Sequence, residues 1–264
     1  MNRAKEVKRC DNIIKVLKCN FASIDTEIDC IYGNGFYSFK NYLKSFDQPD
    51  LLITISQQEI DEEKRCHPDL YTPNIVVESD RVGVTYDFGF LEPFVVLKKL
   101  ADAVIAFDTL LIHGAAVAMD GYAYLFVAPS GVGKSTRAKM WCDLYPGSFV
   151  INGDKPLLRF SGDVVYTCGT PWCGKEGWNT NTMVPLRAIF FLERAEKKTA
   201  IEEINIGKAF PILLQQTHQP LKPDLMYRTI ELLKQLNKRV RLYKYSSTLS
   251  QEAIRIAYET ARPR

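Results

Sequence analysis

Apolar positions change their spacing along this chain, and the changes divide it. Up to about residue 90 they come in short runs broken by polar turns, the pattern of short strands. Residues 51–55 and 74–77 are strand-like by their β-branched content, and 82–88 alternates weakly. From 91 to 107 the period becomes helical, with Leu97, Leu100, Ala101 and Val104 at i, i+3, i+4 and i+7. From 110 it turns to strands. Residues 110–119 read as one buried strand, Asp120-Gly121 as a tight turn and 122–127 as its partner, so an antiparallel hairpin is expected. Residues 135–144 read as a helix with Ala138, Trp141 and Tyr145 near one face, stopped by Pro146-Gly147. Strands at 148–151, 164–166 and 187–192, helices at 207–216 and 222–237, a strand around 240–242 and a helix from 251 complete the pattern. The expectation is an α/β chain with a mixed sheet over 91–264 and a smaller β-rich region over 1–90. No repeat or low-complexity tract interrupts it.

Composition narrows the function classes. Of 264 residues, 46% are hydrophobic and 25% charged, ordinary for a globular protein. Net charge is +3, with Lys and Arg interleaved among Asp and Glu, so no nucleic-acid partner is expected. No window approaches about 18 uncharged apolar residues, so no membrane partner is expected either. The first 18 residues lack the apolar stretch of a secretory signal. Seven cysteines, an odd number, then point to reduced thiols and a cytoplasmic location. Neither Cys66-His67 nor the Cys168/Cys173 pair has a second half at zinc spacing. His67 precedes Pro68 and marks a turn.

The chemistry-bearing stretch is Ala128-Pro129-Ser130-Gly131-Val132-Gly133-Lys134-Ser135-Thr136. It fits G-x-x-x-x-G-K-[ST] with alanine at the first position, and it lies between an expected strand and an expected helix. Such a loop turns successive backbone N–H groups inward around phosphate oxygens, and its glycines allow close approach. Ser130 to Thr136 are therefore the candidate nucleotide-binding residues. Lys134 can neutralise β- and γ-phosphate charge, Ser135 can offer its hydroxyl to Mg²⁺, and the helix adds its positive dipole end. An acid is needed near the end of the next strand, and Asn152-Gly153-Asp154 supplies Asp154 there. The same three residues are also strong turn formers. His113 lies 21 residues before Lys134 in an apolar run, where the hairpin can bring it to the loop.

Ile112-His113-Gly114, the hairpin, the loop, and a strand ending at Asp154 together resemble the core of HPr kinase/phosphorylase, whose nucleotide-binding architecture also occurs in phosphoenolpyruvate carboxykinases. The likeness spans roughly residues 105–195. Within that family it looks like a divergent bacterial subgroup that includes lasso-peptide kinases. Two departures stand out. Gly153-Asp154 replaces an Asp-Asp pair. The family's Glu-Ile-Arg-Gly-Leu-Gly signature is missing, and Cys168-Gly169-Thr170-Pro171-Trp172-Cys173-Gly174-Lys175-Glu176 stands in its place. The resemblance implies a P-loop core, ATP and Mg²⁺ as cofactors, His113 on the γ-phosphate side, and Asp154 as metal ligand, base or both. It implies a kinase acting on a hydroxyl, expected to be a serine, of a peptide, protein or small molecule, and leaves a homo-oligomer open. A second cation is expected for phosphoryl transfer, and Lys155 and Lys175 are the candidates. Trp172 could stack on a base, gate the substrate or anchor its loop. Alternatives are a nucleotide-gated switch or ATPase, whose N-terminal part binds a peptide, and a carboxykinase-like enzyme, for which three histidines supply no second metal site.

Overall fold

A computed structural model describes residues 15–33, 36–66, 91–195 and 198–263. The chain divides into two compact units. One comprises Met1–Cys19 and Asp25–Lys98, the other Asn20–Ile24 and Lys99–Arg264.

β1 (Val16–Phe21), β2 (Ile24–Asp29) and β3 (Leu51–Thr54) form a sheet in that order, with β2 and β3 parallel; all of it but Asn20, Phe21 and Ile24 belongs to the first unit. A 3₁₀ turn spans Tyr37–Tyr42. Residues 57–66 are a helix, α1 (Gln57–Cys66), which the short-strand expectation for this region missed. Its signal is a capping box. Ser56 N–H donates to the Glu59 carboxylate at 2.8 Å, and Glu59 N–H donates to Ser56 Oγ at 3.3 Å. Helix α2 (Glu92–Ala103) opens with the buried Glu92, whose carboxylate takes the backbone N–H groups of Ile31, Tyr32 and Gly33. The strands expected at 74–77 and 82–88, and His67, lie outside the described residues.

The second unit is built on nine strands: β4 (Thr109–Leu111), β5 (Gly114–Met119), β6 (Tyr122–Val127), β7 (Phe149–Asn152), β8 (Leu157–Ser161), β9 (Val164–Cys168), β10 (Met183–Arg194), β11 (Ala200–Glu203) and β12 (Arg241–Ser247). They run in the order β4-β8-β9-β10-β6-β5-β7, with β12 on β10 and β11 on β12. The long β10 serves two neighbourhoods. Met183–Pro185 pairs antiparallel with β9, and the residues after it pair parallel with β6 and β12. Helices α3 (Lys134–Leu144) and α6 (Gln251–Ala261) cover one face, where Ala138, Trp141 and Ile254 meet Tyr124, Phe126 and Phe190. Helices α4 (Ile206–Gln216) and α5 (Pro223–Gln235) cover the other, with Leu213 and Leu232 against Leu125 and Ile189. Burial on both faces is why β6 and the second half of β10 are continuous apolar runs rather than alternating ones. The unit is thus mixed α/β with a three-layer core. None of the described helices is long and apolar enough to cross a membrane.

The Asp120-Gly121 turn has φ of 52° and 77°, and Met119 pairs Tyr122, as a two-residue hairpin turn requires. The single strand expected over 110–119 is instead two strands. β4 pairs β8, whereas β5 pairs β6 and β7. The break falls at His113, whose backbone N–H leaves the sheet for the Gln216 carbonyl at 2.7 Å. Hydrophobicity cannot mark such a break, because both pieces are buried.

Candidate active site

Direction of pairing gathers the site. β6 and β7 run the same way and β5 runs against both, so Gly114 lies opposite Val127 and Ala116 opposite Asn152. The start of β5 and the ends of β6 and β7 therefore share one edge of the sheet. In open α/β sheets the carboxyl ends of the strands are where ligands bind.

After β6 the chain passes through Ala128 and turns at Gly131 (φ 79°) and Gly133 (φ 98°) into α3, which begins at Lys134. Only glycine takes these φ values without strain. Ala128 is buried and keeps a negative φ, so the usual first glycine is not required there. Ser130, Gly131 and Thr136 are exposed, while Val132, Gly133 and Ser135 are half-buried. Lys134 is 8% exposed, and its Nζ folds back to donate to the Ala128 and Pro129 carbonyls at 2.8 and 3.2 Å. Burial lowers the Lys134 pKa, Asp154 raises it and Lys155 lowers it again.

At the end of β7 the buried Asn152 makes the turn. Its Oδ1 accepts the N–H groups of Asp154 and Lys155 at 2.8 and 2.7 Å. Its Nδ2 donates to the Thr170 carbonyl and hydroxyl, and Thr170 Oγ1 reaches the Lys155 carbonyl at 2.7 Å. Asp154 is thereby held beside His113, with Nε2 and Oδ1 at 3.1 Å, and its carbonyl accepts the Gly114 N–H at 2.9 Å. Burial alone would raise the Asp154 pKa. The hydrogen bond from His113 and the charges of Lys155, His113 and Lys134 outweigh it, and the net shift is downward. The carboxylate form is the one favoured.

Of the residues singled out in the sequence, His113, Lys134, Asp154 and Lys155 meet here. Lys175 is exposed and makes no ion pair among the described residues. Its neighbour Gly174 backs onto Asp154, since a Cβ there would lie 3.2 Å from Asp154 Cβ. Trp172 is half-buried, its ring 5.9 Å from that of Phe21 in the same unit. Sequence reasoning passed over Glu176, whose Oε1 accepts the Ser135 hydroxyl at 3.4 Å. Its place in the Gly174-Lys175-Glu176 turn carries no spacing signal. Asn152 reads in the sequence only as a turn former, and Thr170 only as part of the stretch that replaces the family signature. On the β10 side of the loop lies a cavity of about 640 Å³, lined among others by Pro129, Val132, Phe191, Arg194 and Lys208. The Arg194 guanidinium donates to the Gly131 carbonyl at 2.5 Å.

No family model matches this chain, and no curated protein matches it in sequence. Among solved structures, it is similar to the Hpr(Ser) kinase/phosphatase from Coxiella burnetii. The identity is 12% and the TM-score 0.32, over 58% of this chain and 99% of that one. At that score the likeness carries no weight for fold or activity.

Proposed function

We propose that this chain is a P-loop phosphotransferase that moves the γ-phosphoryl group of ATP to a hydroxyl, that of a serine in a peptide or protein or of a small molecule. One observation carries the reading: a glycine loop opening a helix at Lys134 stands at the same sheet edge as the His113–Asp154 pair. Phosphoryl transfer asks mainly for positioning and charge stabilisation, and these groups supply both.

Lys134 would leave the carbonyls of Ala128 and Pro129 for the β- and γ-phosphate oxygens. The cavity on the β10 side of the loop would take the nucleoside, with the γ-phosphate toward Asp154. The acceptor hydroxyl attacks the γ-phosphorus, the bond to the β,γ-bridging oxygen breaks, and ADP leaves with that electron pair. Asp154, ionised and oriented by His113 and Asn152, receives the hydroxyl proton. Lys155 balances charge beside it. Mg²⁺ fits the oxygen donors present. Ser135, Asp154 and Glu176 are hard ligands, and no trio of His, Cys, Asp or Glu among the described residues could hold a metal alone. That suits an ion bound partly by phosphates. Bound there, it would neutralise phosphate charge.

The test is incubation with γ-labelled ATP, Mg²⁺ and serine-bearing peptides. Label on an acceptor is expected. Release of free phosphate with no labelled acceptor would replace the kinase by an ATPase.

A further inference from the structure

Arg137, on the first turn of α3, is 1% exposed. All three guanidinium nitrogens are engaged. Nη1 donates to the carbonyl of Val132 at 3.0 Å and, at 3.2 Å, to that of Gly133, which the Arg137 backbone N–H also holds at 3.1 Å. Nε and Nη2 donate to Ser247 Oγ at 3.1 and 2.8 Å, and Nη2 also reaches the Ser247 carbonyl at 3.0 Å. The group lies over the Tyr245 ring, 5.8 Å from its centroid. No carboxylate pairs with it among the described residues. Burial works against its charge, and an arginine keeps the charge nonetheless.

The consequence follows from peptide geometry. A trans peptide is planar, so the carbonyl of one residue and the N–H of the next point opposite ways. Turning the Val132 carbonyl toward Arg137 aims the Gly133 N–H away from it. Turning the Gly133 carbonyl the same way aims the Lys134 N–H away too. These are donors that a phosphate-cradling loop must present outward. The guanidinium also places a buried positive charge behind those peptide dipoles, at the side away from the ligand. Glycine at 133 is needed twice over, because φ is 98° and a Cβ would lie 2.9 Å from Arg137 Nη1.

We infer that Arg137 is a positioning residue for nucleotide binding: it locks the Val132 and Gly133 peptides with their N–H groups facing the phosphates, and it braces them on Ser247 at the end of β12. The inference rests on the phosphate-binding reading of the loop. It makes loop shape a property of β12 and α3 together, not of the glycines alone.

The experiment is titration calorimetry of full-length wild type, Arg137→Gln, Arg137→Lys and Ser247→Ala with ATP and with ADP, well below each melting temperature. Arg137→Gln is expected to weaken both nucleotides alike, by tenfold or more. Arg137→Lys, which returns the charge without the fork, is expected to recover part of the loss. Ser247→Ala, which removes the hydroxyl part of the brace and keeps the carbonyl that Nη2 also reaches, is expected to weaken both about threefold. A merely structural arginine would lower the melting temperature and leave the affinities of the folded variants unchanged, and that result overturns the inference. If Arg137→Gln does not fold, Ser247→Ala decides: weaker binding supports the inference and unchanged affinity overturns it. Wild type that binds neither nucleotide would instead remove the phosphate reading on which it rests.

Discussion

Gly153 occupies the position where the resembled family carries the first acid of a pair, and its surroundings say what replacing it would do. A Cβ built on Gly153 would lie 2.7 Å from the Cys173 carbonyl oxygen, against about 3.4 Å for ordinary contact. Roughly 0.7 Å must open between two backbones. Neither yields easily, because the Gly153 N–H donates to the Trp178 carbonyl at 3.0 Å and the Thr180 N–H to the Ile151 carbonyl at 2.9 Å. Overpacking of this kind costs about 1–3 kcal/mol. At roughly 2–4 °C per kcal/mol for a domain of this size, Gly153→Ala should lower the melting temperature by about 2–12 °C. Strain relieved by moving the end of β7 carries Asp154 with it, and misplacements near 1 Å can cost on the order of a hundredfold in rate. Melting scans, ATP titration and acceptor labelling on the one variant would separate the effects. The expectation is a lower melting temperature, ATP affinity near wild type and transfer reduced at least tenfold. Gly153→Asp should behave worse, not better. A Gly153→Ala protein that melts within a degree of wild type and turns over normally would refute the argument, as would a gain of activity in Gly153→Asp.

Lys134→Ala should weaken ATP by roughly ten- to a hundredfold or more, since a charge-assisted bond is worth about 1.5–3 kcal/mol, and retained affinity in a titration would remove the site. Asp154→Asn should leave most ATP binding intact and cut transfer by about 10²–10⁴, so unchanged turnover would show that another group takes the proton. The Asp154 carboxyl is held below its ordinary value of 3.8 in the folded state, so its contribution to stability is full above 3.8 and is lost as pH falls from there through the folded value. Denaturant melts should therefore show a shallower acid limb for Asp154→Asn in that window, and an identical limb would contradict the His113 and lysine contacts as its cause. Glu176→Gln should raise the Mg²⁺ concentration for half-maximal transfer severalfold, and an unchanged requirement would leave Ser135 and Asp154 as the protein's ligands.

What the sequence made legible was whatever depends on local spacing. The hairpin followed from Asp120-Gly121 because few residue pairs accept positive φ in succession. The loop and α3 followed from glycines ahead of Lys134, and strands at β6 and β10 from their apolar runs, whereas the helix layer on each face of the sheet is a finding of the structure. What stayed hidden depends on contacts between distant segments. Helix α1 has Ile60 and Glu63 as its buried residues, so periodicity is faint and the Ser56–Glu59 box was its best signal. The split at His113 is decided by Gln216, Pro156 and Asp154, which take the N–H groups of His113, Ile112 and Gly114. Asn152 looked like a turn former and is one, yet its buried amide also ties Thr170 to the strand that presents Asp154. Arg137 followed Lys134-Ser135-Thr136 as another basic residue of a helix. Nothing in its spacing tells that Ser247, 110 positions later, completes its hydrogen bonds. Lys134 and Ser135 were readable because the loop motif names them, and His113 and Asp154 because of where they stand relative to it, whereas Glu176 was not. The residues that hold them in place were not, because positioning belongs to the strand order β7-β5-β6-β10-β12 and no short window encodes that order.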